Sequence, residues 1–373
     1  MPDCNMFENH MMIGIDGSRR ACCRSSEQLF GKSHKIQSTS EEEYQNLPLT
    51  REMKSVMRSG EWHKVCTRCL REESRGLTST RHFANIDFSG RPGVIEYLEF
   101  TISNRCNLAC RSCSHTLSTT WQDHIHNNPW YPIPSKHVAK LHEMDLNTIL
   151  KWMENKDWNH VRYVKIAGGE PMMSKKFFDF IDWLIENNYA KNIILIFITN
   201  GTFYSDKIVD KLKRFKRISL QISCEGTGKL DEYIRNGTVW DKKQKNIEKW
   251  IESEVSIPNV NHVLQAYNYH NIANFEKWAE NIGFVKFNPI FIATPSWLTI
   301  DALPPKYVNE HIFPMLESKP KTKMFSNRPE IKFSYRFNED LFKTFVGWTK
   351  QTDKLFGKNL KDVVPELGKL IYK

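Results

Sequence analysis

Six apolar segments with the composition of β-strands alternate with helical patterns between residues 95 and 292 of this 373-residue chain. The strand-like segments span 95–102, 161–167, 192–199, 217–223, 260–267 and 284–292. The helical patterns between them span 143–155, 175–188, 205–214, 240–254 and 272–281. Apolar strands separated by helices are typical of parallel βα units, in which helices cover the sheet. The alternation therefore predicts an α/β fold whose functional residues lie at the carboxyl ends of the strands.

The first strand-like segment leads into a loop that carries three cysteines, Cys106, Cys110 and Cys113. These three thiols can converge on one metal centre, but they supply only three ligands. In a four-iron cluster held by thiolates, three ligands leave one iron open to a substrate or cofactor. Two alternatives stay open at this point: a Cys3His zinc site with His115 as the fourth ligand, and packed cysteines without a metal.

The second strand-like segment runs directly into Gly168, Gly169, Glu170 and Pro171. Glycine lets the backbone approach a ligand closely, and a carboxylate accepts hydrogen bonds from an ammonium group. Alone, these four residues predict only a turn. Because they follow the cysteine triplet by one strand, they predict that the two loops share a binding site.

The spacing Cys-x3-Cys-x2-Cys, followed one strand later by Gly-Gly-Glu-Pro, closely resembles the radical S-adenosylmethionine (radical SAM) superfamily. The resemblance implies a partial (β/α)6 TIM-like barrel, with a [4Fe-4S] cluster on the cysteine triplet and S-adenosylmethionine (SAM) bound at the open iron. It implies that the Gly-Gly-Glu-Pro element contacts the methionyl amino group. The implied activity is reductive cleavage of SAM to a 5′-deoxyadenosyl radical, which abstracts hydrogen from a substrate.

Further candidates for contacts with SAM or substrate lie where the later strand-like segments end. They are Asn200 after the third segment, Ser223 and Glu225 after the fourth, and Asn268 after the fifth. The resemblance implies that Ser223 and Glu225 lie near the SAM ribose or the substrate. Asn200 begins an Asn-Gly dipeptide, which is also typical of an ordinary turn. Many relatives have Asp in this part of the fourth segment, and we expect Cys224 to be a packed thiol.

Five more cysteines lie in the N-terminal region: Cys4, Cys22, Cys23, Cys66 and Cys69. The last two form a C-x2-C pair, which is half of a zinc or iron–sulfur site. Cys4 and one of the adjacent Cys22 and Cys23 would complete it, because neighbouring side chains point apart. The region resembles the twitch or SPASM-like auxiliary-cluster region of some radical SAM enzymes, here placed before the barrel. A four-cysteine zinc knuckle is the alternative.

We therefore expect a Cys-rich region at 1–90, the partial barrel at 91–300 and a helical extension at 301–373. Hydrophobic residues make up 40% of the chain and charged residues 26%, which is typical of globular proteins. The sequence shows no apolar run long enough for a membrane span and no signal-peptide pattern at its start. Together with the cysteines, this predicts a cytoplasmic protein that does not act at a membrane.

The formal net charge of +10 suits a nucleic acid or another anionic partner, although a merely solvated basic surface is the simpler interpretation. The resemblance thus implies a radical SAM enzyme with a second iron–sulfur cluster. Its substrate would be a peptide, a nucleotide or a small molecule, and its electron donor a protein such as flavodoxin or ferredoxin. The alternative is a zinc-stabilised nucleic-acid-binding protein without catalysis, which gives no reason for the Gly-Gly-Glu-Pro element.

Overall fold

The computed structural model describes residues 3–25, 34–74, 78–126, 141–154, 156–256, 259–317 and 335–372. The strands in these ranges are β1 (His10–Ile13), β2 (Arg19–Arg20), β3 (Tyr97–Thr101), β4 (Ala109–Cys110), β5 (Tyr163–Ala167), β6 (Ile194–Thr199), β7 (Arg217–Ser223), β8 (Arg235–Asn236), β9 (Asn259–Leu264) and β10 (Lys286–Phe291). The α-helices are α1 (Met6–Asn9), α2 (Glu41–Asn46), α3 (Pro48–Arg58), α4 (Thr67–Glu73), α5 (Thr80–Asp87), α6 (Thr119–His126), α7 (Leu146–Glu154), α8 (Lys175–Glu186), α9 (Asp206–Leu212), α10 (Lys229–Ile234), α11 (Trp240–Glu252), α12 (Ile272–Asn281), α13 (Pro305–Tyr307), α14 (Phe313–Glu317), α15 (Glu339–Phe356) and α16 (Pro365–Ile371).

Eight of these strands form one sheet in the order β10-β9-β7-β6-β5-β3-β1-β2. Neighbouring strands are parallel except for the β1–β2 pair at the edge. The six strand-like segments of the sequence correspond to β3, β5, β6, β7, β9 and β10, which confirms the predicted α/β class. The short strands β4 and β8 pair separately and antiparallel.

The two faces of the sheet differ in their cover. Along β5 and β6, Val164 and Phe197 are fully buried in a core that includes Phe180 of α8. On β5, Lys165 follows Val164 and is only half-buried. The same alternation occurs on β7, where Gln221 is half-buried between buried neighbours. Because successive side chains of a strand point to opposite faces, Lys165 and Gln221 lie on the face away from these helices. We call this the inner face of the sheet.

The N-terminal region is joined to the barrel through its first strands, since β1 lies parallel to β3. Its helices also surround a second, smaller hydrophobic core, which contains Met6, Phe7, Met53, Met57 and Val65. The N-terminal region therefore contributes to both cores, since Met11, Ile13, Ile36 and Tyr44 belong to the larger one. The domain boundary near residue 90 stays a prediction.

The C-terminal helices pack on the barrel. Phe345 and Trp348 of α15 are buried, and Trp348 lies 5.7 Å from Trp121 of α6 between ring centroids. Tyr267, which follows β9, makes a 2.8 Å hydrogen bond to Thr349 of the same helix. Among the helices in the described ranges, none has the length and apolar character needed to cross a membrane.

Candidate functional site

The cysteine loop and the glycine motif touch each other through their backbones. Gly169 N donates to Ser103 O at 2.8 Å, and Glu170 N donates to Arg105 O at 2.7 Å. A side chain at Gly169 would collide with Arg105 O, and Gly168 has a φ of 131°, which strongly favours glycine. The structure therefore brings together the two motifs that the sequence singled out, and it explains why both positions are glycine.

Of the three cysteines of the loop, Cys110 is buried, and Cys106 and Cys113 are half-buried. Cys110 lies on β4, and Cys113 N donates to Cys110 O at 3.0 Å. Burial raises the pKa of all three thiols, that of Cys113 to about 11. The neighbouring thiols raise the pKa of Cys110 and Cys113 further. Without a metal, the raised pKa values favour the protonated thiols. A bound metal reverses this preference, because a thiol that coordinates a metal is deprotonated. The donor set therefore fits a metal centre that stabilises thiolates.

A cation, Arg235, stands beside the thiols because β8 pairs with β4 in the register Cys110 to Arg235, and its side chain is 12% exposed. Its Nη1 donates to Glu225 Oε2 at 2.7 Å, whereas its buried Nε has no hydrogen-bond partner among the described residues. Burial opposes its charge, but Cys110 and Glu225 outweigh burial and raise its pKa. Sequence reasoning missed Arg235, since this pairing joins residues far apart in the chain.

A second arginine, Arg111, anchors the cysteine loop to the C-terminal helix. It is fully buried, and its Nε donates to Tyr233 O at 2.9 Å. Its Nη2 lies 2.6 Å from Asp353 Oδ1 on α15, and its Nη1 donates to Thr352. Because Arg111 lies between Cys110 and Cys113, these bonds fix the segment that carries two of the thiols.

Glu170 and Asn200 link the glycine motif to the end of β6. The buried Glu170 carboxylate accepts hydrogen bonds from Asn200 N at 2.6 Å and Thr199 Oγ1 at 2.9 Å. Burial nonetheless raises its pKa to about 7. Asn200 Nδ2 donates to Asn107 Oδ1 at 2.8 Å and lies 4.0 Å from Cys106 Sγ. Asn200 is therefore part of the cysteine loop's immediate surroundings.

The remaining predicted contacts lie at the ends of β7 and β9. Ser223 is half-buried and ends β7 on the inner face. The amide of Asn268 is used within the protein, since Nδ2 donates to Glu225 O and Val263 O, both at 2.9 Å. Asn268 thus supports the Glu225 loop, and its contact with a ligand stays a prediction. Cys224 is fully buried, as expected for a packed thiol.

Four of the five N-terminal cysteines line one cavity in the smaller core: Cys4, Cys22, Cys66 and Cys69. Cys23 does not line it. Cys23 is instead near Glu99 on β3, His10 on β1 and Lys165 on β5. The structure thus groups Cys22, and not Cys23, with the other three thiols.

The surroundings of this cavity suit an anionic metal cluster. Burial raises the pKa of Cys4 and Cys66 to about 12, so a metal is needed to hold them as thiolates near neutral pH. Arg24, Arg68 and Arg81 border the cavity and offer positive charge. Within the described ranges, no three His, Cys, Asp or Glu side chains are grouped so as to hold a single metal ion. A four-iron cluster does not need that arrangement, because its thiolates bind different irons.

Comparison with known proteins identifies the barrel. Residues 100–280 match the model of the Radical SAM superfamily. This part of the chain is a radical SAM domain. Similar curated proteins include the GTP 3′,8-cyclase of Clostridium perfringens (strain 13 / Type A), 27% identical over 201 residues that cover 52% of this chain and 56% of that protein. The GTP 3′,8-cyclase of Campylobacter fetus subsp. fetus is 27% identical over 165 residues, 44% of either chain. This radical SAM chain therefore spans about half the length of these relatives.

Solved structures that show some similarity to this chain include anSMEcpe with bound AdoMet, with a TM-score of 0.42 and 17% identity, over 70% of this chain and 62% of that one. Another is Streptococcus suis SuiB bound to its precursor peptide SuiA, with a TM-score of 0.42 and 13% identity, over 95% of this chain and 71% of that one.

As a radical SAM protein, the chain is an enzyme, and its family implies a [4Fe-4S] cluster and SAM as cofactors. The cysteine loop fits this requirement, because it combines one buried and two half-buried cysteines with a neighbouring cation and a glycine motif in backbone contact. Membership in this family does not favour a zinc-stabilised nucleic-acid-binding protein without catalysis.

Proposed function

We propose that this radical SAM enzyme holds its [4Fe-4S] cluster on Cys106, Cys110 and Cys113 and abstracts hydrogen from a substrate bound at the inner face of the sheet. The backbone contact between the cysteine loop and Gly168–Pro171 is the observation that supports the proposal most directly. It brings both motifs to the carboxyl edge of β3 and β5, where βα barrels carry their functional groups. When bound, the reduced cluster supplies the electron that cleaves SAM to methionine and a 5′-deoxyadenosyl radical.

The surrounding residues bind and orient the cofactors. Arg235 offsets the negative charge of the thiolates, and its unpaired Nε–H is available to the SAM carboxylate, which forms strong hydrogen bonds with guanidinium groups. Gly168 and Gly169 let their loop pack closely on the cysteine loop, which would place the Gly-Gly-Glu-Pro element beside the methionyl end of SAM. Glu170 keeps the loops after β5 and β6 in register through its bonds to Thr199 and Asn200.

We further propose a second four-iron cluster on Cys4, Cys22, Cys66 and Cys69, the auxiliary cluster expected from the sequence. Four thiolates would occupy every iron, so this cluster would have no open iron for a substrate. Its role would then be to carry an electron to or from the substrate radical. Cys23, which faces the charged residues near β3, stays outside the ligand set.

For the substrate we propose a nucleotide as the first class to test, ahead of peptides and other small molecules. The curated relatives are named GTP 3′,8-cyclases, and the chain's formal net charge of +10 suits an anionic substrate. The electron donor would be a flavodoxin or ferredoxin. All nine cysteines lie among the described residues and are free of disulfides, which suits a reducing cytoplasm.

The decisive assay adds dithionite and SAM to anaerobically reconstituted protein and measures 5′-deoxyadenosine. The wild type should form it, and the Cys106→Ala, Cys110→Ala, Cys113→Ala triple variant should not. Cys224→Ala is the matched control, because it removes a buried thiol that belongs to neither proposed set of cluster ligands. Absence of 5′-deoxyadenosine from wild type that holds its full iron content would contradict the proposal. GTP is then added to test for its consumption and for extra 5′-deoxyadenosine.

A further inference from the structure

The segment that joins α9 to β7 carries concentrated positive charge, since five of the seven residues at 211–217 are lysine or arginine. The first of them, Lys211, pairs with Asp182 of α8. The other four are exposed and form no ion pair with any residue in the described ranges: Lys213, Arg214, Lys216 and Arg217. Four neighbouring cations therefore face solvent without a partner from the described part of the chain.

These cations lie at the amino edge of the sheet. Lys216 N donates to Ala190 O at 3.0 Å, which ties the segment to the turn before β6. Lys191 in that turn is also exposed. Because β6 and β7 are parallel, their first residues lie at one edge, opposite the edge of the cysteine loop. We call Lys191, Lys213, Arg214, Lys216 and Arg217 the basic edge.

A groove of about 550 Å³ opens beside the basic edge. One wall is the segment at 213–217, and the other is the segment at 251–256 that follows α11. Ser256 Oγ fixes the second wall to β7, since it accepts from Leu220 N and donates to Ile218 O, both at 2.9 Å. Glu254 is the single acidic residue among the described lining residues. The groove is therefore an open, positively charged surface built on well-fixed backbone.

The structural role of a cation at a helix end explains only part of this charge. A lysine at the C-terminus of a helix interacts favourably with the helix dipole, which accounts for Lys213 as the C-cap of α9. Arg214, Lys216 and Arg217 follow the cap and lack such a role. Like charges held close together repel each other, and an anionic partner offsets that repulsion.

The composition of the groove selects the class of anion. Protein interfaces have a core with aromatic residues and few lysines, whereas the aromatic residue among the described lining residues, Phe215, is buried. Nucleic-acid phosphates need only lysine, arginine and other donors. We propose that the basic edge binds the sugar–phosphate backbone of a nucleic acid. The binding is independent of sequence, because the described lining offers no exposed aromatic ring for bases to stack on.

This surface is separate from the proposed SAM site. The strand β7 has seven residues, and at about 3.3 Å per residue the two edges of the sheet are about 20 Å apart. The inference therefore does not rest on the proposed function, and its test measures binding alone.

Fluorescence anisotropy of the reconstituted enzyme with a labelled single-stranded DNA of about 16 nucleotides measures the Kd over a range of salt concentrations. Five phosphate contacts at about 0.7 per contact predict a log–log salt slope of about −3.5. The Kd of the wild type should therefore rise about 100-fold between roughly 50 and 200 mM salt. A second, unrelated sequence should give the same Kd. A flat salt dependence overturns the inference even if every variant fails to fold.

The edge variant combines Lys213→Gln, Arg214→Gln, Lys216→Gln and Arg217→Gln. It should bind more weakly at low salt, and its Kd should rise only about 3-fold over the same salt range, because Lys191 alone remains. Its 5′-deoxyadenosine formation should equal that of the wild type.

The matched control removes the same charge from exposed lysines on other helices by changing Lys277, Lys306, Lys350 and Lys354 to glutamine. It should keep the slope and Kd of the wild type. Equal losses in the two variants would show a diffuse basic surface and overturn the inference. Poly-glutamate that displaces the DNA as well as unlabelled DNA does, at equal charge concentration, would assign the surface to an acidic protein and overturn it too.

Discussion

Removing the carboxylate of Asp353 should destabilise the protein and loosen the cysteine loop together. Asp353 Oδ1 accepts from Arg111 at 2.6 Å and from the Tyr233 hydroxyl at 2.7 Å. Its Oδ2 accepts from the Tyr372 hydroxyl at 2.6 Å and from Leu360 N at 2.8 Å. The Asp353→Ala variant leaves all four donors without this acceptor, and it leaves the Arg111 charge buried.

The size of the effect follows from the burial of the pair. The side chain of Arg111 is 0% exposed and that of Asp353 is 4% exposed. Breaking a buried ion pair by removing one partner costs about 3–5 kcal/mol of the free energy of unfolding. Removing both partners avoids the uncompensated charge, so Arg111→Ala with Asp353→Ala should cost at least about 1 kcal/mol less than the sum of the two single changes.

Urea unfolding of the iron-free protein measures these free energies for the wild type, both single variants and the double variant. Iron release from reconstituted protein is followed in parallel, and the Asp353→Ala variant should lose iron faster because Arg111 lies between two proposed ligands. Additivity of the two single changes within about 0.5 kcal/mol, or wild-type iron retention by Asp353→Ala, would refute this account of the loop.

Three further predictions follow from the geometry. Gly169→Ala should cost about 1–3 kcal/mol on urea unfolding and abolish 5′-deoxyadenosine formation, because its methyl group collides with Arg105 O; normal activity would show that the close approach is unimportant. Cys22→Ala should lose the iron of the second cluster on metal analysis, whereas Cys23→Ala should keep it; equal losses would contradict the grouping of thiols. Burial raises the pKa of Glu170 from 4.5 to about 7, so the folded state keeps a proton that the unfolded state releases, and the free energy of unfolding should fall by about 3 kcal/mol as pH rises from 4.5 to 7. In iron-free protein, Glu170→Gln should make the free energy of unfolding depend less on pH. An unchanged pH dependence in this variant would count against the raised pKa of Glu170.

The six central strands were predictable because their signal is local. Each is an apolar segment bounded by helical patterns. Because one face of each strand is buried against helices, its apolar residues are visible in the sequence itself. The cysteine triplet and the glycine motif were predictable for the same reason, since each is a short run at a strand end. The sequence also limited the N-terminal ligands to one of Cys22 and Cys23, but only the three-dimensional grouping of thiols favours Cys22.

Long-range pairing accounts for what the sequence did not reveal. The strand β1 reaches the sheet only through its pairing with β3, and Arg235 reaches the thiols only through the pairing of β8 with β4. Asn268 and Gln265 show a second limit of prediction from sequence. Both are polar residues near the end of β9, and the sequence does not reveal which of the two amides is bonded within the protein. The sequence favoured Asn268 as a ligand, whereas the structure satisfies its amide internally and leaves that of Gln265 without a partner in the described part of the chain.

The presence of two different iron–sulfur sites is tested most directly by iron and zinc analysis with EPR spectroscopy of the reduced protein, recorded with and without SAM. Wild type should hold about eight irons per chain, as two four-iron clusters require. Variants that lack either the triplet Cys106, Cys110 and Cys113 or the pair Cys22 and Cys69 should hold about four. SAM should change the spectrum only when the triplet is intact. Zinc in place of iron, or a spectrum that SAM leaves unchanged in fully loaded wild type, would contradict the account.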